Sequence, residues 1–368
     1  MKEIELDNNL ELQIIATGMH LSPEFGNTYQ QIEKDGFIIN KKIDILLSSD
    51  SEVGIAKSMG LGMIGFADAF NDLSPDLLVV LGDRFEIFSA VSVAMIAKIP
   101  VAHLSGGEAT EGSIDEPIRH SITKMSHLHF TATNEYRNRV IQLGEQPDRV
   151  FNVGGLGIDN INKLKLLTKS DFEKAIDFEL GEKNLLVTFH PVTLENSTSK
   201  TQFQELLDSI SELKNTKIIF TKANSDTDGR IINSMIDAYV AKHDNTIAFV
   251  SMGQLNYLSA LQFMDAVVGN SSSGLLEAPS FKIATIDIGD RQKGRIKADS
   301  VISCLPSKDS IGKAFNELYS KQFQSAVGKV ENPYGKDGAS EEIVRIIKDI
   351  SLDGIVKKSF YDFKGFSQ

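Results

Sequence analysis

Short apolar runs alternate with stretches of helical periodicity along almost the whole chain. Strands are predicted over 10–16, 43–47, 78–81, 99–104, 128–132 and 150–153. A second series follows over 185–189, 217–220, 247–250, 266–268 and 283–288. Helices fall between them over 51–71, 85–97, 135–143, 203–213, 230–240, 255–263, 275–281, 311–318 and 341–350, with a further helix running from His120 to about Ser126. Residues 23–35 suit a short helix, and the polar stretch 1–8 reads as the tail of a helix or a connector. Within 51–71, Met59, Met63, Ile64 and Phe66 recur at helical spacing and read as core. The strands are continuous apolar runs rather than alternating ones, as expected of parallel strands buried on both faces. The fold class is therefore α/β, as two doubly wound halves whose ligands bind at the carboxyl ends of the strands.

A length of 368 residues exceeds what one core usually organises, which also favours two domains. The boundary falls near 160–169, giving domains over 1–163 and 164–335 and a terminal segment over 336–368. The glycines at 154, 155 and 157 fit either close backbone approach or a hinge. The 38 Lys and Arg against 50 Asp and Glu give a net charge of −12, which argues against a nucleic-acid partner. An anion must then be held by local devices: strand-end turns, helix N-termini and a few cations. The single cysteine, Cys304, excludes an intramolecular disulfide and a thiolate zinc site, and its apolar neighbours make it a small core residue. No apolar run approaches the roughly 18 residues of a membrane span, and no leader pattern opens the chain, so no membrane partner and a cytoplasmic location are expected.

The candidate chemistry gathers at strand ends. The run 78–81 ends in Gly82-Asp83-Arg84, the next strand leads into Ser105-Gly106-Gly107-Glu108, and Asp115-Glu116-Pro117-Ile118-Arg119-His120 follows. Asp83, Glu108, Asp115 and Glu116 on one sheet edge can hold separated pKa values and act as acid and base; they can equally form ion pairs with Arg84 and Arg119. Arg84 can clamp a phosphate or fix Asp83. In the second half, Gly269-Asn270-Ser271-Ser272-Ser273-Gly274 joins a strand to a helix start. Asn270, Ser271, Ser272 and Gly274 there suit a phosphate, with Arg291 after the next strand; simple serine capping is the other reading. The turn is no Walker loop, since no Gly-Lys-Ser/Thr follows. Glu277 can accept from ribose hydroxyls or merely offset the helix dipole. His190 at a strand end can donate to a phosphate, move a proton or be structural. His20 ends a strand in Thr17-Gly18-Met19-His20, and Asn224 closes Thr221-Lys222-Ala223-Asn224. His127, His129 and His243 read as structural, and no His/Asp/Glu spacing marks a metal site.

Taken together, Thr17–His20, Gly82–Arg84, Gly106–Glu108, 115–121, Phe189-His190-Pro191, 269–274 and Gly289-Asp290-Arg291-Gln292 resemble the hydrolysing UDP-N-acetylglucosamine 2-epimerases of nonulosonic acid biosynthesis, over nearly the whole chain. The resemblance implies a GT-B fold, two Rossmann-like domains with the substrate in the cleft between them. It further implies a C-terminal helix returning to the first domain, a homodimer, a UDP-sugar substrate, and neither metal nor nicotinamide cofactor. Asp83 and Asp115 match catalytic positions; His190, Ser271, Ser272 and Arg291 match positions near the diphosphate; Glu277 matches a ribose contact and Arg84 a nucleotide-side contact.

Two departures stand out. Many relatives carry a catalytic Glu where this chain has Ser105, so Glu108, Glu116 or a histidine must take its role; relatives acting on bacillosamine-type sugars also lack it. The sugar is thus open between UDP-N-acetylglucosamine and UDP-N,N′-diacetylbacillosamine. The opening strand and Gly-Thr-Arg-type turn of the relatives is absent too. One βα unit, roughly thirty residues, is expected upstream of Met1, and its loss should expose ladder groups and apolar surface. A GT-B glycosyltransferase and a non-catalytic nucleotide-sugar binder are the competing functions.

Overall fold

The computed structural model describes residues 1–47, 49, 51–195 and 198–363. Contacts gather these into two units. Met1–Glu108, Ile114–Asp159 and the described residues from Lys336 onward form the first, and Ala109–Ser113 with Asn160–Gly335 form the second. Five residues placed in the first domain by sequence, Ala109–Ser113, thus pack with the second unit.

In the first unit β1 (Ile15–Thr17) and β2 (Lys41–Ile43) make a parallel pair. A separate parallel sheet holds β3 (Leu78–Leu81), β4 (Val101–Leu104), β5 (Leu128–Thr131) and β6 (Val150–Asn152) in chain order. Every residue of β4 and β5 is buried, His103 and His129 included, which explains why apolar residues dominate them. On one face the helices Glu52–Leu73 and Phe85–Ala97 bury Phe66, Phe70, Val91 and Ala94 against Val80 and Val101. On the other, helix Ala339–Asp349 buries Ala339, Ile343 and Ile346 with Leu128 and Phe130. Its first turn is capped by Asp159, whose carboxylate accepts from the N–H groups of Ala339 and Ser340 at 3.0 and 2.6 Å. Among the described residues β3 pairs only with β4, and its Val79 and Leu81 are exposed. Helix Glu52–Leu73 has the length and composition of a membrane span although its apolar residues are not one continuous run; its Phe66, Ala69 and Phe70 are buried in the protein.

The second unit is one six-stranded parallel sheet in the order β12-β11-β10-β7-β8-β9. Its strands are β7 (Lys183–Thr188), β8 (Thr216–Thr221), β9 (Thr246–Phe249), β10 (Ala266–Gly269), β11 (Ala284–Ile288) and β12 (Val301–Cys304). Strand order reverses between β7 and β10, so this is the topological switch point at which open α/β sheets bind ligands. Both faces are covered by core: Phe189, Phe203, Phe220 and Ile311 on one, Phe172, Leu186, Leu261 and Met264 on the other.

Several boundaries differ from the sequence pattern. The strand expected over 10–16 shortens to β1, and the one over 43–47 moves to β2. The Asn40 side chain accepts from Ile14 N–H at 2.7 Å and starts that pairing early. The helix over 23–35 breaks at Gly26, whose φ is 87°. The helix over 275–281 is only Ser273–Leu276, followed by a 3-10 turn over Ala278–Phe281, because Pro279 has no N–H to continue it. The run around Cys304 is a strand, and Cys304 is half-buried, with burial pushing its thiol up to about 12. Residues 156–163 form a helix where a hinge was one of two readings. The other reading, close approach, describes Gly154: a Cβ there would lie 2.6 Å from that of Lys336.

Candidate functional site

Asp83 follows β3 through Gly82, which sits at φ 83°, a conformation open to glycine at little cost. The acid–base candidates converge on Arg119, which is wholly buried in helix Asp115–Met125. Its Nε donates to Asp83 Oδ2 at 2.9 Å, and a second guanidinium nitrogen donates to the same oxygen. A third nitrogen donates to Glu116 Oε2 at 2.6 Å and to the Glu108 carbonyl at 2.9 Å. Burial opposes the charge of Arg119, but Asp83, Glu108 and Glu116 outweigh it and raise its pKa. Asp83 and Glu116 thus form ion pairs with Arg119, as one of the two readings expected, and Glu108 joins them through its backbone carbonyl. Glu116 also faces His120 Nε2 at 3.1 Å. Glu108 is buried, and Asp115 begins the helix on which Glu116 and Arg119 stand.

His20 and Arg84 belong to a neighbouring cluster. Arg84 Nε donates to Glu86 Oε2 at 3.2 Å, and Glu86 is buried. Gly18 lies so near that a Cβ there would meet Glu86 Oε1 at 2.7 Å. His20 Nδ1 is 2.7 Å from Thr28 Oγ1; burial lowers its pKa, with Glu86 raising and Arg84 lowering it further.

In the second unit the switch point carries the phosphate candidates. Asn270 follows β10 and is fully buried. Its Oδ1 accepts from His190 N–H at 2.7 Å and its Nδ2 donates to His190 C=O at 2.8 Å, which locks the turn after β7 to the turn after β10. The Asn270 carbonyl accepts from Gln292 Nε2 at 2.8 Å and from Arg291 at 3.3 Å. Arg291 lies 3.9 Å from Asp226, whose N–H donates to Asn224 Oδ1 at 3.3 Å. His190, Asn224, Asn270 and Arg291 are thus one connected group. Ser272 makes no side-chain cap bond, so serine capping does not account for it. Ser271 Oγ accepts from Ser273 N–H at 3.4 Å. Gly274 is required by packing, since a Cβ would meet Thr285 at 2.6 Å. With only a four-residue helix behind it, this turn has a smaller dipole than the sequence suggested.

Glu277 is half-buried, with its Oε2 shielded from solvent and unpartnered among the described residues. Burial raises its pKa, opposed by Ser273 and Arg295. A carboxyl in that state can take up two vicinal hydroxyls when one arrives with a ligand.

The sequence profile of the family described as UDP-N-acetylglucosamine 2-epimerase matches residues 2–348. The chain belongs to that family. A Campylobacter jejuni member, named GDP/UDP-N,N′-diacetylbacillosamine 2-epimerase (hydrolyzing), is 45% identical over 98% of this chain and 94% of its own length. An Escherichia coli member, polysialic acid biosynthesis protein P7, is 42% identical over 97% of this chain and 90% of its own. Among solved structures, the UDP-GlcNAc 2-epimerase of Neisseria meningitidis bound to UDP-GlcNAc has a TM-score of 0.80 at 20% identity, covering 95% of each chain. That likeness establishes the GT-B-type α/β fold for this epimerase-family chain.

Four side chains of this family member escaped the sequence pattern as site groups. Glu86 is the second residue of its helix and signals only as a first-turn acid. Asp226 and Gln292 flank candidates that were found, but their pairing with Arg291 and Asn270 is tertiary. His103 lies inside an apolar strand and carries no sequence signal at all.

Proposed function

We propose that the chain is a hydrolysing UDP-sugar 2-epimerase that converts UDP-N-acetylglucosamine and water to N-acetylmannosamine and UDP. In the first step the C2–H and C1–O bonds break: a carboxylate takes the proton and UDP departs with the C1–O electron pair, leaving a 2-acetamidoglucal. In the second, water supplies hydroxide to C1 and a proton returns to C2 on the opposite face. The C2 proton is weakly acidic, so the reaction needs both a placed base and a stabilised leaving group.

Asp83 and Asp115 are the proton-transfer pair in this reading, with Glu108 and Glu116 completing the acid–base set in place of the carboxylate that Ser105 lacks. Arg119 holds the Asp83 carboxylate in place through two guanidinium nitrogens. His190, Asn270, Ser271, Ser272, Gly274 and Arg291 receive the diphosphate, with His190 able to protonate it. Glu277 takes the ribose, and His20, Arg84 and Asn224 serve the nucleotide and sugar. A homodimer and a cytoplasmic location belong to the same proposal.

The observation that carries the reading is the Arg119 cluster, carboxylates gathered at strand ends in a chain of this family. A second reading places UDP-N,N′-diacetylbacillosamine in the same chemistry, and the name of the 45%-identical relative favours it. Incubation of each UDP-sugar without an acceptor, in 18O-labelled heavy water, tests both. The expected products are unlabelled UDP and a 2-epimerised sugar with 18O at C1 and deuterium at C2. Asp83→Asn and Asp115→Asn should each lower turnover by about 10²–10⁴-fold. Label in UDP, a strict need for an acceptor, or full activity in both variants refutes the proposal.

A further inference from the structure

His103 is the third residue of β4 and is fully buried. Its Nε2 lies 2.9 Å from the Gly82 carbonyl, and its Nδ1 lies 3.2 Å from Thr123 Oγ1. A carbonyl oxygen only accepts, so Nε2 carries the hydrogen. Burial holds the ring neutral, with its pKa lowered to about 4, so Nδ1 accepts and the Thr123 hydroxyl donates. Thr123 thereby selects the tautomer that reaches Gly82.

Gly82 has no backbone freedom left. Its N–H donates to the Leu104 carbonyl at 3.1 Å and its C=O is taken by His103, at a φ of 83°. The next residue is Asp83, so these two bonds set the direction in which Asp83 leaves the sheet. The same ring supports the second turn: a Cβ on Gly106 would lie 3.2 Å from both His103 Nδ1 and Thr123 Oγ1. Thr123 stands one turn beyond Arg119 on the same helix. One imidazole therefore touches the turn before Asp83, the turn before Glu108 and the helix that carries Arg119.

We infer that His103 is a positioning residue for the epimerisation, fixing the Asp83 carboxylate through its hydrogen bond to the Gly82 carbonyl. The inference rests on the proposed role of Asp83. Misplacement of a reacting group by about 1 Å costs on the order of 10²-fold in rate, and an unanchored Gly82 is free to allow that much.

The test compares His103→Gln with His103→Asn in the full chain. The glutamine Nε2 lies as many bonds from the backbone as the imidazole Nε2 and can donate to Gly82. The asparagine Nδ2 corresponds only to Nδ1 and stops short. Both put an amide in the same buried place, so a purely structural role affects them alike. Amide hydrogen exchange over residues 82–86 and the kcat and KM for the UDP-sugar are the readouts. His103→Asn should speed exchange about tenfold and lower kcat about 10²-fold, while His103→Gln stays within about fivefold of the parent on both. KM should stay within about twofold in each, because the diphosphate and nucleoside are held elsewhere. Equal losses in the two variants, or a loss confined to KM, overturn the inference. A parent chain that turns over neither UDP-sugar refutes the reading of function instead; exchange that is equally fast in both variants then refutes the Gly82 anchor by itself.

Discussion

Replacing Arg119 with Met removes the cation that holds Asp83 and Glu116. Its side chain is 1% exposed, whereas Asp83 and Glu116 keep 20% and 22% of their exposure. The variant loses the paired bonds to Asp83, the 2.6 Å bond to Glu116 and the 2.9 Å bond to the Glu108 carbonyl. Breaking a buried ion pair from one side costs about 3–5 kcal/mol because the other charge stays behind. The residual solvation of both carboxylates sets the expectation at the lower end, about 3 kcal/mol, or a melting shift of about 6–12 °C for a unit of this size. Stability alone does not separate lost packing from lost pairing, so the measurement is a double-mutant cycle with Asp83→Asn, read by denaturant unfolding. If the pair is coupled as its geometry requires, Arg119→Met and Asp83→Asn together cost about 1–3 kcal/mol less than their sum. Additivity within about 0.5 kcal/mol refutes the view that Arg119 organises Asp83.

Three further outcomes follow from buried groups elsewhere. His103, near 4 in the folded protein, is near 6.5 when unfolded; the unfolded chain binds the extra proton, so stability is complete above pH 6.5 and is lost as pH falls toward 4, by about 3 kcal/mol in total. Urea unfolding at pH 7 and pH 4.5 should show the slope, and His103→Gln should flatten it. Gly269 sits at φ 132°, where a Cβ would overlap the Thr188 carbonyl; Gly269→Ala should cost about 3 kcal/mol or more, seen as a lower unfolding midpoint, and UDP titration of the folded fraction should show weakened binding. Lys358 Nζ donates to the carbonyls of Lys124 and Ser126 at 2.8 and 2.6 Å and to the buried Glu145 at 2.7 Å. His129 and the two lysines outweigh the burial of Glu145 and hold its pKa down to about 2, so Lys358→Met should destabilise by about 2 kcal/mol in calorimetry, and Glu145→Gln should recover part of that loss.

How much of this was legible before the structure depends on where each group finds its partner. The βα rhythm was legible because parallel strands buried on both faces are dominated by apolar residues, and β4, β5 and β10 are buried at every position and β7 at all but its first. Element ends were less so, because a single residue decides them from outside the periodic pattern: Asn40 starts the first pairing early, and Pro279 splits a helix that apolar spacing carries through. Asp83, Glu116 and Arg119 were legible as a set because charged residues at the ends of apolar strands have few structural reasons to be there. Their connection through one guanidinium was not, since Arg84 offered itself equally by spacing and instead pairs with Glu86.

Asn270 shows how much of a candidate phosphate turn the sequence leaves unread. In sequence it is one polar residue among serines, and a polar turn after a strand is enough to suggest an anion. In the fold its side chain satisfies both backbone groups of His190, eighty positions away. An amide is the short side chain that offers a donor and an acceptor at one end; serine has too little reach and aspartate lacks the donor. The residue that makes the turn look like a binding loop is therefore the one that holds β7 and β10 in register at the switch point. That structural role is invisible in the sequence because its partner is a peptide group, which no side-chain pattern records.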